Sequence, residues 1–253
     1  MPLALDQEVF AALLVFARLG SALMVAPGFG EAYISFRVRL LFAIALSLLA
    51  MPLLGDRLPA LPPDFLAMAI LVIREIIVGL LIGTILRLAL MAIHFAGGVI
   101  AMQSGLAAAT FFDPSEGTQS ALTSNYLTIA ALTMMFATDM HLLLLQGLVA
   151  SYAPIAPLDG HAFNDAISFL IEHSSAALLW GVRFAAPLLV VSLVFQLLMG
   201  VLNRLMPTFQ VFFVAIPLQL MLSFGVIALG LGAILFGFIT LLEQSIAPLA
   251  SGN

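Results

Sequence analysis

A few ionisable side chains lie inside, or at the ends of, long apolar runs of the sequence: Arg18, Arg74, Glu75, Asp139 and Arg183. A charged group near the centre of a membrane-spanning helix costs about 2.5–3.5 kcal/mol, so we expect these groups to face protein or water instead of lipid. Neighbouring helical residues point about 100° apart, so Arg74 and Glu75 cannot easily pair with each other. Each is expected to have a partner on another helix. The simplest interpretation is structural: ion pairs between helices, or arginines that extend to the membrane interface.

The residue types that carry enzymatic chemistry are not arranged as a catalytic or metal site. The four histidines, His94, His141, His161 and His173, show no spacing typical of paired metal ligands, and the sequence contains no cysteine. It also lacks lysine, the common serine-hydrolase and metalloprotease motifs, and a phosphate-binding glycine loop. We therefore predict that the protein is not an enzyme and has no catalytic residues, bound metal or cofactor.

The overall composition predicts a polytopic membrane protein. Of the 253 residues, 63% are hydrophobic and only 8% are charged, whereas soluble domains have about 45–50% apolar and about 25% charged residues. The roughly 159 apolar residues would supply at most about eight helices, and loops reduce this number to about six or seven hydrophobic segments. The net charge of −5 leaves no polybasic surface, so the expected surrounding is membrane lipid and not nucleic acid.

The apolar runs predict an all-α protein of long, partly broken helices. They cover residues 9–26, 40–54, 65–86, 88–112, 121–145, 176–201 and 209–242, with a polar stretch at 151–175. As one helix the last run would be about 51 Å long, far more than the 30 Å or so of a bilayer core. Either Pro217 and Gly225 kink this run, or it extends beyond the membrane.

Glu75, Gly79 and Gly83 recur every four residues and so form one stripe on the third apolar run. The two glycines make a GxxxG pattern, which lets another backbone approach closely. An acidic residue on the same stripe predicts a packed interface, either within the protein or with another subunit.

The segment 105–120 differs from the rest of the sequence. It begins with mostly small apolar residues at Gly105 and then turns at Asp113-Pro114-Ser115-Glu116-Gly117. The Asp-Pro pair is typical of a helix start, although the following glycine weakens that helix. Non-helical backbone at membrane depth is tolerated only when it is buried in protein or lines a water-filled cavity. The two alternatives are such a segment and an ordinary surface turn between two spans.

Several short motifs occur in an order that resembles one bacterial family over nearly the whole chain. They are Phe16-Ala17-Arg18, Arg74-Glu75 with Gly79 and Gly83, Gly97-Gly98, Gln103-Ser104-Gly105, Asp113-Pro114, Asp139-Met140-His141 and Asn203-Arg204-Leu205-Met206-Pro207. This pattern is similar to that of the FliR/SctT-like family, the R component of the flagellar type III export gate. The family usually has glycine where Met140 stands, and a Gln-Met-Gly-like triplet in place of Gln103-Ser104-Gly105.

The resemblance implies a non-enzymatic subunit of a protein-conducting channel. Its partners would be FliP and FliQ, with FlhB and FlhA nearby, and unfolded flagellar proteins would pass through it across the bacterial inner membrane at the flagellar basal body. The family fold implies a FliP-like helical part at 1–150, a polar connector at 151–175 and a FliQ-like helical hairpin at 176–253.

The resemblance also implies that the loop near 105–120 plugs the closed pore. The implied plug residues are Gly105, Leu106, Phe111, Phe112, Asp113, Pro114 and Gly117. The residues expected at helix interfaces or as buried polar groups are Arg18, Arg74, Glu75, Gly79, Gly83, Asp139, Arg183 and Arg204.

Two alternative functions stay open at this point. The first is the homologous subunit of the injectisome, the export system used in virulence secretion. The second is a secondary transporter of small solutes, because such transporters also use broken helices and buried charges.

Overall fold

The computed structural model describes residues 2–54, 58–105, 119–152, 160–206 and 211–251. All regular secondary structure in these ranges is α-helical. The helices are α1 (Pro2–Val25), α2 (Phe36–Leu54), α3 (Phe65–Gln103), α4 (Gln119–Ala137), α5 (Met140–Ala150), α6 (Gly160–Leu205) and α7 (Val211–Ser251). The all-α membrane fold expected from the sequence is therefore confirmed.

Helix α3 joins two apolar runs that appear separate in the sequence. The sequence divides this stretch into 65–86 and 88–112, but α3 continues through Arg87 for 39 residues and ends at Gln103. The division is wrong because Arg87 does not interrupt the helix. Its guanidinium Nη1 donates a hydrogen bond to the carbonyl of Val25, 3.1 Å away, and so has a polar partner on the end of α1. At 1.5 Å per residue, α3 is about 59 Å long.

The apolar run 121–145 is, in contrast, two helices instead of one. Helices α4 and α5 are bent by 77° at a short break. Asp139 lies in that break in the left-handed conformation, with φ of 56°, a conformation that L residues other than asparagine and aspartate adopt rarely. The backbone amide of Leu142 donates to the carbonyl of Asp139 at 2.9 Å and begins the new helix.

Helices α6 and α7 have 46 and 41 residues and are about 69 and 62 Å long. Both exceed the roughly 30 Å of a bilayer core, so the length mismatch predicted for the last run applies to both. Among the described residues, five helices are long and apolar enough to cross a membrane, or six if α4 and α5 count as one span. Because α3 contains two of the seven runs, six spans result when α4 and α5 count as one, which agrees with the expected six or seven segments. The lower number of five arises because neither α4 nor α5 counts as a span by itself.

The first of two compact units comprises Met1–Leu88, Phe136–Ser174 and Leu242–Asn253. Helix α1 is its most enclosed element, with 56% of its span buried against 22% for α2. Leu14, Leu19 and Leu23 are completely or almost completely buried along α1. Helices α2, α3 and α5 all pack against α1.

The second compact unit comprises Ala89–Met135 and Ser175–Leu241. Its helices approach one another at glycines. A side chain at Gly97 of α3 would overlap the backbone of Ser124 on α4, and one at Gly181 of α6 would lie 3.0 Å from the carbonyl of Ala92 on α3. Close approach of this kind is how membrane helices gain packing without a hydrophobic driving force.

The outer faces of the long helices are apolar and exposed. Only 17–22% of the span windows of α2, α3, α6 and α7 is buried. Large exposed side chains include Leu229, with 90% of its surface accessible, and Met221, with 75%. A surface of this kind requires lipid or further protein around it.

Candidate functional site

The stripe of Glu75, Gly79 and Gly83 on α3 faces α1. A side chain at Gly83 would lie 2.6 Å from the carbonyl oxygen of Ala22, and one at Gly79 would overlap the Arg18 carbonyl. Since neither position has room for even a methyl group, the two backbones lie in direct contact. The structure thus places this stripe at an interface within the chain.

Glu75, the first residue of the same stripe, forms an ion pair with Arg18. The Arg18 Nε atom lies 2.5 Å from one carboxylate oxygen of Glu75, and Nη2 lies 3.1 Å from the other. Only 4% of the Arg18 surface is accessible. Two parallel N–H···O bonds between a guanidinium and a carboxylate are the strongest geometry for such a pair. Glu75 therefore has the partner on another helix that the sequence predicts for it.

The guanidinium of Arg18 also contacts the C-terminal end of α5. Its Nη1 donates to the carbonyl of Ser151 at 3.2 Å, and its central carbon lies 4.0 Å from the centre of the Tyr152 ring. A cation is favourable at a helix C-terminus, where carbonyl groups lack intrahelical partners. One buried side chain thus connects α1, α3 and the end of α5.

Tyr152 lies just beyond α5, outside the candidate spans. Burial raises the pKa of its phenol, with Arg18 acting in the lowering direction and Glu75 in the raising direction. The hydroxyl oxygen is buried and has no hydrogen-bond partner among the described residues. Tyr152 therefore contacts Arg18 as a neutral ring, and the positive charge is balanced by Glu75.

The other charges expected at helix interfaces occupy different surroundings. Arg74 is half-buried and has no hydrogen-bond or ion-pair partner in the part of the chain that the structure describes, so the expected partner is found for Glu75 alone. Asp139 is exposed at the bend between α4 and α5. Arg183 is exposed, 5.3 Å from the Trp180 ring centre. Arg204 is exposed in the last turn of α6, where a cation is favourable.

Gly105 is the one implied plug residue that the structure describes. It has φ of 84°, the left-handed conformation that favours glycine, and it follows the last residues of α3. This geometry matches a common way of ending a helix. The remaining implied plug residues lie outside the described ranges: Leu106, Phe111, Phe112, Asp113, Pro114 and Gly117.

A second polar cluster, between α1 and α2, is not apparent from the sequence. Arg87 bonds the Val25 carbonyl and lies 3.8 Å from a carboxylate oxygen of Glu31. Arg39 donates to the carbonyl of Ile34 at 2.9 Å. Through these contacts the two arginines bind the end of α1 and the loop that follows it. The position of Arg87 within an apolar stretch could have indicated a buried polar contact, but nothing in the sequence indicated that its partner is the Val25 carbonyl.

Comparison with known proteins identifies the family of this helical chain. The family model of the bacterial export proteins, family 1, matches residues 9–245. The chain belongs to this family. A membrane protein of a bacterial export apparatus is consistent with the long apolar helices and their exposed faces.

Individual members of the export-protein family are similar over most of their length. The chain is 37% identical to the flagellar biosynthetic protein FliR of Caulobacter vibrioides, over 90% of each chain. It is 30% identical to FliR of Bacillus subtilis, over 85% of this chain and 83% of the relative. The Yop proteins translocation protein T of Yersinia pestis is 29% identical over 69% of this chain and 67% of its own. The resemblance to FliR stated from the motifs is thus confirmed.

Proposed function

We propose that the chain is a non-enzymatic subunit of the flagellar type III export gate. With FliP and FliQ it forms the channel through which unfolded flagellar proteins cross the inner membrane at the basal body, with FlhB and FlhA nearby. The observation that carries this proposal is the 37% identity to a flagellar biosynthetic protein over 90% of both chains.

The lengths of the helices support a subunit that is surrounded by other proteins. A bilayer core of about 30 Å covers about 20 residues of a helix, whereas α6 and α7 are roughly twice as long. Exposed leucine and phenylalanine side chains continue along them, for example at Leu197, Leu229 and Phe236. Partner subunits would cover the apolar surface that lipid cannot reach.

The division into family-like parts belongs to this proposal. We assign residues 1–150 to a FliP-like part, 151–175 to a connector and 176–253 to a FliQ-like hairpin. Support comes from α6 and α7, two long consecutive helices. Because α6 begins at Gly160, the assigned connector includes its first turns. We further assign the segment that follows Gly105 as the plug of the closed channel, in preference to a surface turn, as the family resemblance implies; the family model extends over this part of the chain.

The injectisome alternative is supported by the similarity to the Yersinia translocation protein, at 29% identity over 69% of the chain. The flagellar assignment is favoured because the identity to the Caulobacter protein is higher and extends over more of the chain.

Deleting the gene should abolish swimming, and expression in trans should restore it. A swimming deletion strain that fails to secrete virulence proteins would support the injectisome instead.

Copurification tests the export-gate assignment against a small-solute transporter. The chain, expressed with its gene neighbours and purified in mild detergent, should elute in one large complex that contains the other gate subunits. A protein that elutes alone or as a simple dimer and binds a small solute in that state would contradict the proposal.

A further inference from the structure

The first part of α3 carries a seam of exposed apolar side chains. They recur at alternating intervals of four and three residues, and all of them are exposed: Leu66, Ile70, Ile73, Ile77 and Leu80. A mean spacing of about 3.5 residues is that of the positions with which one helix packs along another in a left-handed pair. Glu75 and Gly79 lie on the other side of α3, against α1, so the seam faces away from the first helix.

Arg74 lies at the edge of this seam. It is four residues after Ile70 and three before Ile77, so it neighbours both on the helix surface. In the seven-residue repeat that the seam defines, Arg74 occupies a flanking position of the kind that forms charge pairs between helices. The side chain is half-buried, and the ion pairs within the described ranges belong to other arginines, Arg18 and Arg87.

The surroundings of Arg74 disfavour lipid as its partner. Residues 65–83 are all apolar or glycine except Arg74 and Glu75, and Arg74 is the central one. Each end of this stretch is about 14 Å away along the helix. In a bilayer the guanidinium would therefore lie in the middle of the hydrocarbon, where a charge is strongly unfavourable without a partner. A carboxylate on a neighbouring protein removes this cost, because its two oxygens match the fork of a guanidinium.

A second copy of the chain is a poor source of that carboxylate. The seam itself contains no acidic side chain. Glu75, on the other side of α3, is already held by Arg18. Two seams of this kind packed on each other would bring together apolar side chains and leave both copies of Arg74 without a counter-charge, so charge complementarity favours a different chain.

We propose that the seam of α3 is the docking surface for an apolar helix of another gate subunit, and that an acidic side chain of that helix pairs with Arg74. This inference rests on the proposed function, because it names the chemistry of one subunit contact within the gate. The partner helix carries apolar residues at the same alternating spacing, with one aspartate or glutamate beside them.

Copurification of Arg74 variants tests the ion pair in the assembled complex. With the chain tagged and the other gate subunits coexpressed, Arg74→Gln should retain about tenfold less of those subunits or even lower amounts, because loss of one member of a buried charge pair at an interface weakens binding at least that much. Arg74→Lys keeps the charge without the forked geometry and should lose less. Arg204→Gln, the same change at an exposed arginine, is the matched control and should retain the subunits as the parent does.

Thermal unfolding of the full chain, purified without its neighbours, separates a contact between subunits from a contact within the chain. Arg74→Gln should unfold within about 2 °C of the parent, since the change removes no ion pair within the described ranges. A lower unfolding temperature together with loss of the subunits would show that the substitution acts through folding, and would overturn the inference.

Photo-cross-linking identifies the occupant of the seam. A benzophenone amino acid at position 73, in cells that express all gate subunits, should form an adduct with one of them at a peptide that contains an acidic residue. Exchanging the charges, with Arg74→Glu in this chain and arginine in place of that acid, should restore retention that Arg74→Glu alone abolishes. An adduct with a second copy of this chain, or the absence of any protein adduct, as expected for a seam in lipid, would overturn the inference.

The parent chain separates this inference from the proposed function. If the parent retains the other gate subunits and Arg74→Gln retains them equally, or if Arg204→Gln loses them to the same extent as Arg74→Gln, the seam contact is wrong and the export-gate assignment stands. If the parent itself retains none of them, the export-gate assignment is contradicted, and the seam contact is overturned with it.

Discussion

Arg18 of α1 and Glu75 of α3 form a two-pronged ion pair beside a glycine stripe that brings the two helices into contact. The glycines let the backbones approach, and the approach places the carboxylate within reach of the guanidinium. The carbonyl of Ser151 then occupies a third donor of the same group. Packing and charge are therefore parts of one interface, and the predictions below separate their contributions.

Removal of one partner of the ion pair should strongly destabilise the protein. In Glu75→Ala the guanidinium of Arg18 stays buried without its counter-charge, and breaking a buried pair typically costs about 3–5 kcal/mol. The free energy of unfolding, measured by denaturant titration of the purified chain in mixed micelles, should fall accordingly. In the double variant Arg18→Met with Glu75→Leu most of the loss should be recovered, because both charges are removed.

Arg204→Gln serves as the control for the loss of a charge, since Arg204 is exposed. Its free energy of unfolding should stay close to that of the parent. Equal losses in Glu75→Ala and the double variant would contradict a specific pairing with Arg18. Normal complex yield and normal export in Glu75→Ala would show that the pair has no role in assembly.

Alanine substitution should lower stability at one glycine and not at another. At Gly83 a methyl group would lie 2.6 Å from the Ala22 carbonyl, so Gly83→Ala must push α1 and α3 apart and lower the unfolding temperature. At Gly230 of α7 no atom lies within 4 Å of the added carbon, and alanine is favoured over glycine in a helix by up to about 1 kcal/mol. Thermal unfolding of the isolated chain should therefore show a decrease for Gly83→Ala and no decrease for Gly230→Ala. The same decrease at both positions would point to a general effect of glycine loss.

Tyr152 should make stability sensitive to alkaline pH. Because burial raises the pKa of its phenol in the folded protein above the ordinary 10.0, the unfolded state loses this proton first as the pH rises. The contribution of Tyr152 to stability is thus complete below about pH 10 and declines above it. Tyr152→Phe should unfold with less dependence on pH above 10 than the parent. Below that pH it should be at least as stable, since it removes a buried hydroxyl without a partner among the described residues. Parallel pH profiles for the two proteins would contradict the assignment.

Deletion of residues 107–117 should open the assembled gate to ions and small molecules. The physical reason is that the proposed plug is the part of the chain that fills the pore. Dye uptake or ion conductance across the cell membrane measures the effect. Replacing the same residues by a glycine-serine chain of equal length keeps the connection from α3 to α4 and should also leak. An unchanged barrier in both variants would favour an ordinary loop.

The periodic and compositional features of the fold could be predicted from the sequence. The hydropathy indicated the all-helical membrane architecture, and the four-residue recurrence of Glu75, Gly79 and Gly83 indicated a packed face. Both depend on the spacing of nearby residues, which a sequence shows directly.

Features that depend on distant residues could not be predicted in the same way. Asp139 was visible as a charged residue in the apolar stretch, but the helix break there depends on its left-handed backbone conformation, which hydropathy does not indicate. Arg87 suggested an interruption, but its bond to the Val25 carbonyl lets α3 continue. The pairing of Gln219 with Gln103 joins residues 116 positions apart, and no local pattern relates them.

The contacts of Arg18 also impose an order on synthesis. Arg18 is made in the first helix, its carboxylate partner follows 57 residues later, and the Ser151 carbonyl follows 133 residues later. At about 5–20 residues per second, the ribosome needs about 3–11 s to reach Glu75 and about 7–27 s to reach Ser151. During that interval the newly made α1 carries an unneutralised charge. Its stable insertion therefore has to wait for α3, and its last contact forms only after α5 has been made.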